Sequence, residues 1–221
     1  MPRELHPLLA GAAGRLMLAK GRIWPGSFTF RGQRYRYLLH SYNETWTNER
    51  AVEVPLAVAL LDARRDARVL EVGNVLSHYG HTGHEVVDKF EAAPGVRNAD
   101  VLEADFYAAY DLIVSISTLE HVGLDEEEKD PDKPRRAVER LNSLLAPGGT
   151  LFVTVPLGYN AGLDDALTGG RIPFDEVGYL RRVSRLNRWG QASAGQVAGS
   201  AYGAPYPAAN ALAIGVTTQR K

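Results

Sequence analysis

The stretch VLEVGNVLSHYG, residues 69–80, decides how the rest of the chain reads. Val69, Leu70 and Val72 surround Glu71, and Gly73 ends the run. A short apolar segment stopped by glycine is the pattern of a buried strand entering a crossover. A loop that cradles phosphates needs several glycines, so that backbone amides can approach the ligand closely. Asn74, Val75, Leu76 and Ser77 follow instead. The open question is whether such a loop still holds a cofactor.

Outward from this stretch, strand-like and helix-like segments alternate. ARVLEVG (67–73), EVVDKF (85–90), VRNADVL (96–102), YDLIVSIST (110–118) and TLFVTVP (150–156) read as strands. Helices are expected over 49–65, with Pro55 as a kink or an early break, and from Asp130-Pro131 through RRAVERLNSLLA to Pro147-Gly148-Gly149. GYLRRVSRLNRW and ALAIGVTTQ read as the last two strands. Continuous apolar strands separated by helices imply an α/β fold: a Rossmann-like, doubly wound, mostly parallel sheet, helices on both faces and an antiparallel final strand. N-terminal to this, residues 4–20 read as an amphipathic helix. FTFRGQRYRYLL (28–39) reads as a hairpin about an Arg-Gly turn, forming a flap or extra edge. AGSAYGAPYPAANA reads as an ordered loop or a lid over the acceptor.

The expected organisation is one domain over 1–221. Residues 1–48 elaborate its N-terminus, 65–160 form the cofactor core, and 161–221 supply the C-terminal strands and a substrate lid. The chain has 221 residues, 45% hydrophobic and 23% charged, enough for a packed core. With 25 basic and 26 acidic residues the net charge is −1, which argues against a nucleic-acid-gripping domain. The absence of cysteine excludes a disulfide framework, a thiolate zinc site and a cysteine nucleophile. No signal peptide or membrane-spanning stretch is read, so a cytoplasmic location is expected.

In an open parallel sheet, ligands sit beyond the carboxyl ends of the strands. Those ends offer Glu71, Gly73 and Asn74, then Asp88, then Asp100 or Asp105, then Ser117, Thr118, Glu120 and His121, and last Pro156, Leu157, Gly158 and Tyr159. Ionised carboxylates only accept hydrogen bonds. Acids on successive strand ends therefore suit ribose hydroxyls, an amine and an adenine edge, and suit a pyrophosphate poorly.

These residues resemble the class I S-adenosylmethionine-dependent methyltransferases. The family has an acid, one residue and a glycine after the first strand, matched by Glu71, Val72 and Gly73. It has an acid ending strand two, matched by Asp88, and one before the aromatic-Asp pair opening strand four, matched by Asp100 before Tyr110-Asp111. Leu119-Glu120-His121 matches a run common in small-molecule members, and LLAPGGTLFVTVP matches the helix end and following strand. The resemblance covers about residues 65–160. The stretch from EVGNVLSHY through VPLGYN also resembles a bacterial subfamily of unknown substrate.

The resemblance implies S-adenosylmethionine as cofactor, held by Glu71, Gly73, Asn74, Asp88, Asp100, Val101, Ser117 and Thr118. It implies methyl transfer to a small-molecule acceptor by oxygen or nitrogen methylation, with His121 as catalytic base. A homodimer is left open, and neither nucleic acid nor membrane is an expected partner. Val75 and Ser77 stand where the family has its second and third glycines, and the gap from Gly73 to Asp88 is short of the roughly 20 residues of dinucleotide fingerprints. The first crossover helix is therefore expected to be clipped. S-adenosylmethionine has no phosphates, so one close approach at Gly73 suffices.

Other readings compete. Glu71 can cap a turn, Asp88 can be a solvated acid, Asp100 can form a local Asx turn, and His121 can orient a loop. His78, His81 and His84 recur every three residues, but Gly80 and Gly83 break their alignment and no metal is expected. The acidic run 125–128 reads as a solvated loop feeding a helix. Tyr35, Tyr37, Tyr42 and Trp46 read as hairpin packing or as walls of an acceptor pocket. A non-catalytic Rossmann-like binding module is the rival from another class. A nicotinamide enzyme ranks last for want of a glycine-rich phosphate turn.

Overall fold

The computed structural model describes residue 16, residues 26–106 and residues 109–220. Apart from Leu16, the helix expected over 4–20 lies outside the described residues. Ten strands are described. β1 (Ser27–Phe30) and β2 (Gln33–Arg36) form a separate antiparallel hairpin. Its turn residues, Arg31 and Gly32, have φ of 49° and 77°, the two positive values that a two-residue primed turn requires.

The main sheet contains β3 (Val69–Val72), β4 (Glu85–Asp88), β5 (Val96–Asn98), β6 (Tyr110–Ile116), β7 (Leu145–Pro156), β8 (Glu176–Arg182), β9 (Trp189–Ala192) and β10 (Ala211–Thr218). Their spatial order is β5-β4-β3-β6-β7-β10-β8-β9. The first five are mutually parallel. β10 runs antiparallel between β7 and β8, and β9 is an antiparallel edge. The chain moves outward from β3 to β5 and then returns to β6, so the order reverses beside β3. A crevice opens at such a switch point because the loops leaving the two neighbouring strands diverge.

Both faces of the sheet are covered, and the strand period of two explains how. Along β6, Ile113 faces one cluster while Leu112, Val114 and Ile116 face the other. On the first face lie Ala137, Val138 and Leu141 of α2 (Lys133–Ser143), and Leu163 and Leu167 of α3 (Ala161–Thr168). On the second lie Val52, Val54, Leu56 and Ala57 of α1 (Arg50–Asp62), with Phe28 and Phe30 of the hairpin. A fully buried leucine or isoleucine in such a layer contributes about 1.5–3 kcal/mol relative to exposure.

Pro55 sits inside α1 and leaves the carbonyl of Ala51 without its helical donor. The amide of Leu38 supplies that hydrogen bond at 3.0 Å, so the helix continues past the proline.

Several boundaries differ from expectation. GYLRRVSRLNRW is not one strand: it runs from β8 through a turn into the start of β9, because Asn187 takes a positive φ of 53°. Pro147-Gly148-Gly149 does not end a helix but lies in β7, whose register against β6 shifts between Tyr110 and Leu112. α2 begins at Lys133 after Asp132, two residues beyond Pro131. The clipped crossover is real. Between β3 and β4 there is one 3-10 turn, Leu76–Tyr79, and no α-helix. Segment 198–209 is ordered around Asn210. Its Nδ2 donates to the carbonyls of Ala201, Tyr206 and Ala208, and its Oδ1 accepts from the Tyr206 amide.

Candidate active site

A cavity of about 540 Å³ opens at the carboxyl ends of β3, β4, β5 and β6. Gly73, Asn74, Asp88, Asp100, Val101, Ser117, Thr118 and His121 all line it. Of the residues the resemblance implicates, Glu71 is the exception.

Glu71 is fully buried beneath the first loop. Its Oε1 accepts hydrogen bonds from the amides of Val75 and Leu76, both at 2.8 Å, and its Oε2 lies 2.8 Å from Nε2 of His84. The amide of Asn74 donates to Oδ2 of Asp88 at 3.1 Å. Three successive amides of the loop are thus given to the protein's own carboxylates. These are the donors that a glycine-rich turn would offer a phosphate. The loop is rebuilt around an internal anion: Glu71, expected to hold the ligand, lies outside the cavity lining and braces the loop.

Gly73 has φ of +88°, and an added Cβ would meet Oγ1 of Thr118 at 2.1 Å. The glycine therefore lets β3 turn against the loop leaving β6. Asn74 fixes the loop from above: its Oδ1 accepts from Ser77 Oγ at 2.5 Å and its Nδ2 donates to Glu91 Oε1 at 2.8 Å.

Asp88 ends β4. Its Oδ1 accepts from the amides of Phe90 and Glu91 at 2.8 and 2.7 Å, and among the described residues its Oδ2 accepts only from Asn74. A carboxylate oxygen has two lone pairs, so Oδ2 keeps room for a hydroxyl donor from the cavity. Asp100 is more heavily engaged. Its Oδ2 accepts from Lys133 and Lys89 at 2.6 and 2.9 Å, and its Oδ1 from the amide of Leu102 at 3.0 Å. Burial alone would raise the Asp100 carboxyl, but the Lys133 and Lys89 ammonium groups outweigh it and hold it at about 2. The Leu102 contact is the Asx-type turn read as its rival role. Val101 beside it is buried with an apolar side chain.

Ser117 takes a positive φ of 40°, a left-handed conformation that costs a non-glycine residue energy and here turns the chain at the cavity. Its hydroxyl donates to Glu53 Oε1 at 2.6 Å. Thr118 donates to the carbonyl of Ile116 at 3.1 Å.

The acidic run 125–128 is not merely solvated, because two of its members carry specific contacts. Glu126 bridges Lys89 and Lys133, each at 2.5 Å, and accepts from the Gly123 amide. Asp125 reaches His121. His78 lies 3.2 Å from Glu91 and stacks on Tyr42 with ring centroids 4.4 Å apart. Among the described residues, no group of three or more histidines, cysteines or acids is arranged to hold a metal ion.

Several lining residues escaped the sequence reading. Phe90, two residues after the strand-end acid, is 65% exposed at the cavity edge, an aromatic ring with the Lys89 ammonium 5.7 Å from its centroid. Arg50, at the start of α1, lines the cavity and uses Nη1 on Glu53 Oε2 at 2.5 Å. Its position after an irregular 3-10 segment, Tyr42–Thr47, gave no periodic signal. Tyr42 lines the cavity, whereas Tyr35 and Tyr37 pack on Phe28 in the hairpin. Behind Arg50, Glu49, Glu53 and Glu120 are all buried. Burial, reinforced by Glu53, pushes the Glu120 carboxyl well above the usual range, and its Oε2 has no hydrogen-bond partner among the described residues.

No family model matches the sequence, and no curated protein matches it. Solved structures to which the chain is similar include N-methyltransferase NodS from Bradyrhizobium japonicum WM9 in complex with S-adenosyl-L-homocysteine. It is 15% identical, with 75% of this chain and 85% of that chain covered and a TM-score of 0.47. Another is 1,6-didemethyltoxoflavin-N1-methyltransferase from Burkholderia thailandensis. It is 19% identical, with 100% and 94% covered and a TM-score of 0.43.

Proposed function

We propose that the chain is an S-adenosylmethionine-dependent methyltransferase acting on a small-molecule acceptor, at oxygen or nitrogen. The observation that carries this reading is the first loop. The amides of Asn74, Val75 and Leu76 are already given to Asp88 and Glu71, so the switch-point cavity suits an adenosine without phosphate. That argues against a nicotinamide cofactor, whose pyrophosphate needs those donors.

The lining residues fit the cofactor. Gly73 provides the close approach that a Cβ would fill. Asp88 Oδ2 keeps an accepting lone pair for ribose. Phe90 and Val101 offer an aromatic and an aliphatic wall for the purine, and the Arg50 guanidinium suits the amino-acid carboxylate. When bound, the cofactor supplies a methyl group activated by its own sulfonium. The protein's part is to align the acceptor, exclude water and take up its proton. His121 lines the same cavity and is assigned that last role.

Titration calorimetry tests the reading. Wild-type protein is expected to bind S-adenosylmethionine, and Asp88→Ala to bind it about 10- to 100-fold more weakly, as loss of a charged hydrogen-bond partner implies. No heat at millimolar cofactor would favour the non-catalytic binding module. Equal affinity in the variant would move the ribose site away from Asp88.

A further inference from the structure

The imidazole of His121 follows β6 and faces groups from several parts of the chain. Asp125, four residues on, places Oδ2 2.5 Å from Nδ1. Tyr159, from the segment between β7 and α3, donates its hydroxyl to the same Oδ2 at 2.8 Å. The Tyr159 ring also meets the imidazole edge-on, centroids 4.8 Å apart, and Tyr202 packs edge-on behind it at 5.3 Å. Glu120 Oε1 stands 3.6 Å from Nε2, beyond hydrogen-bond range. One ring nitrogen is therefore held, and among the described residues the other has no hydrogen-bond partner.

The His121 contact and then the Tyr159 hydroxyl keep the Asp125 carboxyl below its usual range, with a smaller contribution from Lys129. An ionised carboxylate can only accept. The proton of the neutral ring consequently sits on Nδ1, and Nε2 presents its lone pair. We propose that Asp125, braced by Tyr159, is a positioning residue that fixes His121 in the tautomer whose Nε2 takes a proton from the acceptor. The proposal rests on the reading of the cavity as a methyl-transfer site. In the step it describes, the acceptor's O–H or N–H bond breaks. The proton goes to Nε2, the electron pair stays on the heteroatom, and the imidazolium formed lies against Asp125. The imidazolium then passes its proton to water.

Two-bond proton–nitrogen NMR on the nitrogen-15-labelled full chain reads the tautomer directly. Wild-type His121 is expected to carry its neutral-state proton on Nδ1. Asp125→Asn is expected to lose that preference, because an amide can donate to Nδ1, and Asp125→Glu to restore it. Tyr159→Phe, which keeps the ring packing, is expected to weaken the preference in part and serves should Asp125→Asn fail to fold. A wild-type ring protonated mainly on Nε2, or a preference unmoved by both Asp125→Asn and Tyr159→Phe, would overturn the positioning role. The same samples are titrated with S-adenosylhomocysteine, and wild type and Asp125→Asn are expected to bind within about threefold of each other. No binding by wild type would overturn the methyl-transfer reading, and with it the duty given to Nε2. A wrong tautomer in a protein that binds overturns the positioning role alone.

Discussion

At the scale of single residues, Gly73 and Ser117 show how backbone conformation shapes the cavity. Both have positive φ, but only at Gly73 does the space also forbid a side chain. Gly73→Ala forces a methyl group into Thr118 and holds alanine in a left-handed conformation. The expected loss is about 1–3 kcal/mol of stability, with weaker binding of S-adenosylmethionine. Thermal unfolding and calorimetry check it, and the double variant with Thr118→Ala should recover part of the loss. An unchanged melting temperature in the single variant would show that the loop can shift at little cost. Gly73 was legible in the sequence because glycine after an apolar run has few other readings. Glu71 was legible as important, with its role divided between a ligand contact and a turn cap. A buried acid can face a ligand or the chain's own amides, and only coordinates distinguish the two.

At the scale of the element, the loop between β3 and β4 is a single 3-10 turn held from beneath. A helix there would satisfy its own amides after the first turn. A clipped crossover cannot, so Glu71 supplies the acceptor for Val75 and Leu76. Glu71→Ala removes the acceptor of both loop amides together with the partner of His84, at about 1–3 kcal/mol. Faster hydrogen exchange at Val75 and Leu76, with slow exchange retained in β6, is the expected result. Exchange unchanged at both would mean that Glu71 does not hold the loop. The missing helix was read from the short spacing between Gly73 and Asp88. Its replacement was not, because 3-10 turns leave no hydrophobic period. The β8–β9 turn escaped for a similar reason: Asn187 reads as ordinary polar sequence until its φ is known.

At the scale of the whole molecule, buried carboxyls give stability two opposing responses to pH. Asp100, held at about 2, lies below its unfolded value of 3.8. Its contribution is present above about pH 4 and is lost as pH falls toward 2. Glu120 is shifted the other way, first by burial and then by Glu53. Its folded state holds the proton more tightly than the unfolded chain does. Stability from that proton is full below the unfolded value of 4.5 and is lost as pH rises through the folded one. Glu120→Gln removes the charge while keeping the volume. It should raise the melting temperature at pH 8, leave it little changed at pH 4, and flatten the curve between. Calorimetric scans across that range decide the matter, and a variant less stable at pH 8 would show that an ionised Glu120 is needed.

The sequence by itself determined the order of buried strands, the sheet's parallel core and the strand ends from which a site could be built. Those features follow from local apolar runs and the residues that stop them, and each is written within about ten consecutive positions. Tertiary structure alone decided which partner each polar side chain takes: Glu71 with its own loop, Asp100 with Lys89 and Lys133, His121 with Asp125 and Tyr159. It also brought Arg50 to a cavity formed by residues far along the chain. Hydrogen bonds and ion pairs depend on distances of about 3 Å between atoms far apart in sequence, and no periodicity along the chain encodes those distances.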